Sequence, residues 1–176
     1  MIRVYWCGTP LAGCRTTVLN VARVVVPSFE PGNTPYSTYG GWLVSTGEQR
    51  DILCLREQVR ASEHYEVISD MITRPEYAEQ AAFLSKTDAI VFVVDSQRTR
   101  RVANEYYFSR LRRDLNAVSR DLEAIPLILQ LNKRDLPDVE EVDILAARHQ
   151  TSLSVACATI GTLGMGLMDL LARLPR

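Results

Sequence analysis

Lysine is nearly absent from this 176-residue chain: 18 of its 20 Lys+Arg residues are arginine, leaving only Lys86 and Lys133. Histidine is as scarce, with His64 and His149 isolated from each other and from cysteine. The four cysteines (Cys7, Cys14, Cys54, Cys157) form no C-x-x-C pair. A zinc centre needs three or four converging ligands, so these residues do not point to one. No Cys–His or Ser–His–Asp spacing suggests a nucleophilic hydrolase. No run reaches the roughly 18 apolar residues of a membrane span. Ile2-Arg3-Val4-Tyr5-Trp6 carries no signal-peptide pattern, which predicts a cytoplasmic protein with reduced thiols. The net charge of −1 excludes bulk attraction to nucleic acid or to anionic membrane. No linker divides the chain after residue 60, and no repeat or low-complexity segment is present, so residues 1–176 read as one domain.

What is present alternates between strand and helix signals. Ile2–Cys7 is a short apolar run ending at Gly8, as expected of a buried strand leading into a turn. Thr16–Val26 has helical spacing. Pro27–Gly41 reads as a long loop, and long loops in compact domains are usually functional. Trp42–Val44, Ile52–Val59 and His64–Ser69 read as strands, with a turn at Thr46-Gly47-Glu48. Arg74–Lys86 reads as a helix. Ala89–Val94 is apolar at every position and Pro126–Leu131, with Gln130 its one polar residue, is a second continuous apolar run, the signature of strands covered on both faces of a parallel sheet. Arg101–Leu122 predicts a long helix with Val102, Tyr106, Phe108, Leu111, Leu115 and Val118 facing inward. Val139–His149, Ser152–Ala158 and Met165–Leu174 close the chain as helix, strand and helix. The order predicts an α/β fold: a mostly parallel central sheet with helices on both faces.

Two motifs carry chemistry. Asn132-Lys133-Arg134-Asp135 follows an apolar strand directly, where an open α/β sheet places ligand contacts. A carboxylate at Asp135 can accept both the ring N–H and the exocyclic amine of guanine, a pairing adenine does not offer. Asn132 braces the loop, and the Lys133 stem lies along the base. Gly8-Thr-Pro-Leu-Ala-Gly13-Cys14-Arg15-Thr16-Thr17 has the outline of a phosphate-binding P-loop, G-x-x-x-x-G-K-[ST]. In such a loop backbone N–H groups and a helix N-terminus hold phosphates and a hydroxyl meets Mg²⁺. Two registers are open. Either Gly8 and Gly13 are the motif glycines and Cys14 takes the lysine slot, or Arg15-Thr16 replace Lys-Thr and Cys14 takes the second glycine slot. Neither supplies a lysine, and a planar guanidinium is not equivalent to an ammonium.

Asp88–Gln97, Ala103-Asn104 and Ile125–Pro137 together resemble the MglA-type bacterial Ras-like GTPases of cell polarity and motility. The resemblance is close over 86–138 and looser elsewhere. It implies a Ras-like P-loop NTPase fold, GTP/GDP and Mg²⁺ as ligands, and a roadblock-type regulator or another effector protein as partner. It places phosphate contacts at Gly8, Gly13, Cys14, Arg15, Thr16 and Thr17. Guanine contacts fall at Asn132, Lys133 and Asp135, with Ala156 and Cys157 in a small-residue loop at the end of the last strand. Mg²⁺ contacts fall at Thr16, Thr46 and Asp70, with Thr34 and Thr38 in the same stretch as Thr46.

The γ-phosphate-sensing glycine of the family has no counterpart: no glycine occurs between residues 48 and 160, and Thr73 stands three residues after Asp70. The expectation is a guanine-nucleotide switch with slow or partner-dependent hydrolysis and no assignable catalytic residue. The alternative is a pseudo-GTPase that serves as an interaction module. Seven arginines in Arg98–Arg120 offer a partner-binding or anionic-lipid face for peripheral attachment, or simply a solvated helix side. Their few stacking aromatics speak against nucleic acid.

Overall fold

The computed structural model describes residues 2–25, 42–46, 50–54, 58–60, 65–69, 81, 84–151 and 154–174. The expected loop 27–41 and most of the expected helix 74–86 lie outside the described residues. So do Thr34, Thr38, Asp70 and Thr73.

Eight strands and four helices are described: β1 (Ile2–Gly8), α1 (Cys14–Val25), β2 (Trp42–Thr46), β3 (Arg50–Cys54), β4 (Gln58–Arg60), β5 (Tyr65–Ser69), β6 (Ala89–Asp95), α2 (Arg101–Ala117), β7 (Leu127–Asn132), α3 (Val142–Arg148), β8 (Ser154–Ala158) and α4 (Leu167–Ala172). Six strands form one sheet in the order β4-β5-β1-β6-β7-β8, and β2 pairs with β3 alone. The pairs β5–β1, β1–β6, β6–β7 and β7–β8 are parallel, and only the edge strand β4 runs antiparallel. The stretch 52–59, expected as one strand, is split between β3 and β4. β2 and β3 pair antiparallel from Trp42↔Cys54 to Thr46↔Arg50, and the expected turn at Gly47-Glu48 lies outside the described residues.

The apolar runs explain the layers. Side chains alternate between faces along a strand. Val4 and Trp6 of β1, with Val91 and Val93 of β6, pack on one face against Val18 and Val21 of α1 and Leu167 and Leu170 of α4. Tyr5, Cys7, Ile90, Phe92 and Val94 face the other way, against Phe108, Leu111 and Leu115 of α2 and Leu145 of α3. Every residue of β6 and β7 is buried, as strands between two helical layers must be.

Helix α2 departs from expectation twice. Its inner stripe is Asn104, Phe108, Leu111 and Leu115. Val102 (77% exposed) and Tyr106 (57%) face solvent instead. Each lies two residues from a member of the buried stripe, roughly 200° around the helix. The helix also stops at Ala117 rather than running to 122. Ser119 takes a left-handed φ of +59°, and the Arg120 and Ser119 amides donate to the Leu115 and Asn116 carbonyls. That is a Schellman termination, which satisfies carbonyls the helix would leave open.

His149 follows α3 and is buried between Phe92 and Phe108, with ring centroids at 5.9 and 5.1 Å. Its Nδ1 donates to the Leu145 carbonyl at 2.9 Å, and Nε2 is buried without a hydrogen-bond partner among the described residues. Burial therefore lowers its pKa below 6.5, outweighing the Leu145 hydrogen bond that raises it. A depressed pKa means the neutral ring's contribution is fully present above the unfolded value and is lost as pH falls through the folded one. Stability should fall on acidification below about pH 6.5, by up to about 1.4 kcal/mol per pH unit for one proton. Urea titrations at pH 5.5 and 7.5 check this: His149→Leu should narrow the wild-type difference.

Candidate functional site

The carboxyl ends of four parallel strands lie side by side. β1 ends at Gly8, β6 at Asp95, β7 at Asn132 and β8 at Ala158, with Asp95 opposite Asn132 and Leu131 opposite Ala158. The loops after these strands therefore share one edge of the sheet, where open α/β sheets bind ligands. Both chemical motifs of the sequence sit here.

The first loop turns from β1 into α1 through Thr9–Gly13. Gly13 has a φ of +102°, and a Cβ there would lie 2.4 Å from Asn132 Nδ2. At Gly8 a Cβ would lie 2.2 Å from the Val93 carbonyl oxygen. The two loop positions that exclude a side chain are thus Gly8 and Gly13, with four residues between them. α1 opens at Cys14, and its first helical bond runs from the Thr17 amide to the Gly13 carbonyl at 2.9 Å. Helix-initial N–H groups ahead of that bond have no intrahelical acceptor and carry the positive end of the helix dipole.

Three loop side chains are committed inward. Cys14 is 5% exposed and packs in the α1-side core. Thr9 Oγ1 donates to Asn104 Oδ1 at 2.7 Å. Thr17 is fully buried, and its hydroxyl oxygen accepts from Gln130 Nε2 at 2.9 Å. Thr16 is half-buried in the first turn of α1. Thr46 ends β2, but its side chain and that of Arg15 lie outside the described residues.

Asn132 joins the two motifs. It is 2% exposed. Its Nδ2 donates to the Ala12 carbonyl in the first loop at 2.7 Å. Its Oδ1 accepts from the Gly161 amide at 2.7 Å and from Thr159 Oγ1 at 3.1 Å, both in the loop after β8. One buried side chain therefore sets the spacing of three loops. Behind it, Trp6 Nε1 donates to Gln130 Oε1 at 3.0 Å, and Gln130 Nε2 also donates to Thr159 Oγ1 at 3.1 Å. Buried polar groups are costly unless paired, and this chain of bonds pairs them.

Lys133 adopts a left-handed φ of +64°. A non-glycine residue there costs about 1 kcal/mol and persists only when its surroundings dictate it. Its Nζ reaches Asp95 Oδ2 at 2.7 Å. Asp135 lies exposed in the turn that follows, and no contact among the described residues engages its carboxylate. Ala156 and Cys157 lie inside β8, opposite Leu129 and Gln130, ahead of the loop. Cys157 Sγ donates to Asp169 Oδ2 at 3.6 Å, and burial pushes its pKa up to about 11. It is a protonated core thiol. The small residues that meet Asn132 are Thr159 and Gly161, further along the chain than the pair expected from sequence.

Sequence reasoning also missed Asp95 and Asn104 as parts of the site. Asn104 is the polar break in α2's inner stripe, and such a break was the available signal. The arginines of 98–120 are largely occupied within the chain. Arg98 pairs with Asp138, Arg101 with Glu105, Arg110 with Asp114 and Arg112 with Glu123. Arg120 donates to the Ser85 and Thr87 carbonyls. Among the described residues no three His, Cys, Asp or Glu side chains converge, and no helix is long and apolar enough to cross a membrane.

No family model matches the chain. The Arl6 BBS3 small GTPase from Trypanosoma brucei, solved with the bound nucleotide analogue GppNp, superposes with a TM-score of 0.57. That match covers 97% of this chain and 93% of that one at 17% identity. The fold is accordingly the Ras-like P-loop NTPase fold. The mutual gliding-motility protein MglA of Myxococcus xanthus (strain DK1622) is 33% identical over 94 residues, 53% of this chain and 48% of that protein. The chain thus matches about half the length of this curated relative. Over those 94 residues the chain is similar to this MglA protein.

Proposed function

We propose that this chain is a cytoplasmic guanine-nucleotide switch of the bacterial polarity, motility or signalling type, built as a single G domain over 1–176, whose GTP hydrolysis is weak or completed by a partner. The observation that carries the reading is Asn132. It ties the first loop to the loop after β8, and Asp135, three residues on, is exposed. Asp135 accepts the ring N–H and the 2-amino group of guanine, and the Lys133 stem lines the base. The loop Thr159–Gly161 closes the far side, taking the place expected for Ala156 and Cys157. The glycine geometry supports the register in which Gly8 and Gly13 are the motif glycines. Phosphates then meet the backbone at Gly13, Cys14, Arg15 and Thr16 rather than a lysine.

Mg²⁺ keeps several waters and phosphate oxygens and asks little of the protein. In the Gly8/Gly13 register the hydroxyl slot falls on Arg15, which offers no oxygen ligand, so Thr16, one residue on in the first turn of α1, is the proposed hydroxyl contact, with Thr46 and Asp70 as the proposed further contacts. When bound, the ion neutralises charge on the β- and γ-phosphates. A roadblock-type regulator or other effector is the proposed partner, supplying groups this chain lacks. The relatives are small GTPases, which does not favour a nucleotide-free interaction module.

Thermal unfolding with GDP, GTP or ATP plus Mg²⁺ tests this directly. A guanine nucleotide at 100 times its Kd should add about 2.7 kcal/mol, or roughly 5–10 °C at this chain length. ATP should add nothing. Equal curves with and without guanine nucleotides, for protein first stripped of bound small molecules, would sink the proposal.

A further inference from the structure

The phosphate loop lacks the lysine that would order it from within, and a different set of side chains holds it from outside. Asp95, at the end of β6, is 1% exposed. Its carboxylate accepts from Lys133 Nζ at 2.7 Å and from the Gln97 amide at 3.2 Å, and it lies 3.7 Å from Arg100 Nε. Arg100 Nη2 in turn donates to the Pro10 carbonyl, inside the loop, at 2.8 Å. One helical turn on, Asn104 is fully buried. Its Nδ2 donates to the Asp95 carbonyl at 2.8 Å, and its Oδ1 accepts from Thr9 Oγ1 at 2.7 Å and from the Asp95 amide at 3.3 Å. Consecutive loop residues, Thr9 and Pro10, are therefore fastened to the segment 95–104, and the same carboxylate is fastened to the guanine motif.

The geometry points to Arg100 as a positioning residue for phosphate binding: it pins the loop in the shape that presents its amides, and through Asp95 it couples that shape to Lys133. This rests on the guanine-nucleotide reading above. Three features argue for positioning rather than incidental contact. The bond to Pro10 is charge-assisted and reaches the one loop residue that cannot donate a backbone hydrogen bond. Two cations share one buried carboxylate, so the cluster keeps a surplus positive charge beside the loop. Arg100 Nε is itself buried with no hydrogen-bond partner among the described residues.

The test uses the full chain and two probes, GDP and guanosine, which share a base and differ in phosphate. Affinities are measured by calorimetry for wild type, Arg100→Ala and Arg100→Lys. Arg100→Ala should bind GDP about tenfold more weakly, the worth of one charge-assisted bond, with guanosine affinity unchanged. Arg100→Lys should fall between, because an ammonium can reach either Pro10 or Asp95 but not span both. Should Arg100→Ala fail to fold, Arg100→Lys and Arg100→Gln carry the comparison. An unchanged GDP affinity in a folded variant overturns the assignment while leaving the guanine reading intact. A parallel loss for GDP and guanosine also overturns it, since that marks general loosening. Wild type that takes up neither probe brings down the guanine reading and this assignment with it.

Discussion

Asp135→Asn should cost guanine-nucleotide binding more than any other exposed substitution in this chain. The carboxylate would accept two hydrogen bonds from one face of guanine. Bonds to a charged acceptor are worth about 1.5–3 kcal/mol each, so losing the pairing should weaken GDP about 100- to 1,000-fold. The protein itself should not notice. Asp135 is exposed and engages no described partner, so the unfolding midpoint should move within about 0.5 kcal/mol of wild type. The substitution also changes which base fits. An amide offers one acceptor and one donor, which suits xanthine, where a 2-oxo group replaces the 2-amino group. Competition of labelled GDP with unlabelled GDP and XDP reads both effects. Retained GDP affinity in Asp135→Asn would mean that the base binds elsewhere.

Asn132→Ala should act oppositely, on the fold first and on the ligand through it. Truncation leaves the Ala12 carbonyl, the Gly161 amide and the Thr159 hydroxyl without their present partner, all in a buried setting. Orphaned buried groups cost about 1–3 kcal/mol each, and a total of about 3 kcal/mol is a conservative expectation. At this chain length that lowers the melting temperature by roughly 6–12 °C. Urea unfolding of the nucleotide-free protein measures it without any ligand. A loss under about 1 kcal/mol would show that water replaces the side chain, and that Asn132 is not what spaces the loops.

The parallel sheet was legible because β6 is apolar as far as Val94 and β7 is apolar but for Gln130 and its terminal Asn132, and such runs mark strands covered on both faces. The Asn132-Lys133-Arg134-Asp135 motif stood out because it follows such a strand at once. The inward stripe of α2 was misread for a physical reason. Val102 and Tyr106 are apolar but lie on the outer face, while the position facing the site is the polar Asn104. Periodicity sees hydrophobic residues, and here the inner face trades one for a hydrogen-bonding hub. The last strand was read to its observed end at Ala158, but Ala156 and Cys157 were also assigned to a loop because Ala156, Cys157 and Ala158 are all small. Side-chain size could not tell strand from loop; the pairing of Leu131 with Ala158 does. The register of the first loop depended on backbone angles at Gly8 and Gly13, which residue names alone do not reveal.

Trp6 gives the molecule a built-in optical reporter. Its indole is fully buried, and its N–H is bonded to Gln130, which leads through Thr159 to Asn132. The chain has one other tryptophan, Trp42. With Trp42 replaced by Phe, the emission of a single indole would follow the polar chain that spaces the three loops, so rearrangements there could be timed in the unlabelled protein, nucleotide by nucleotide.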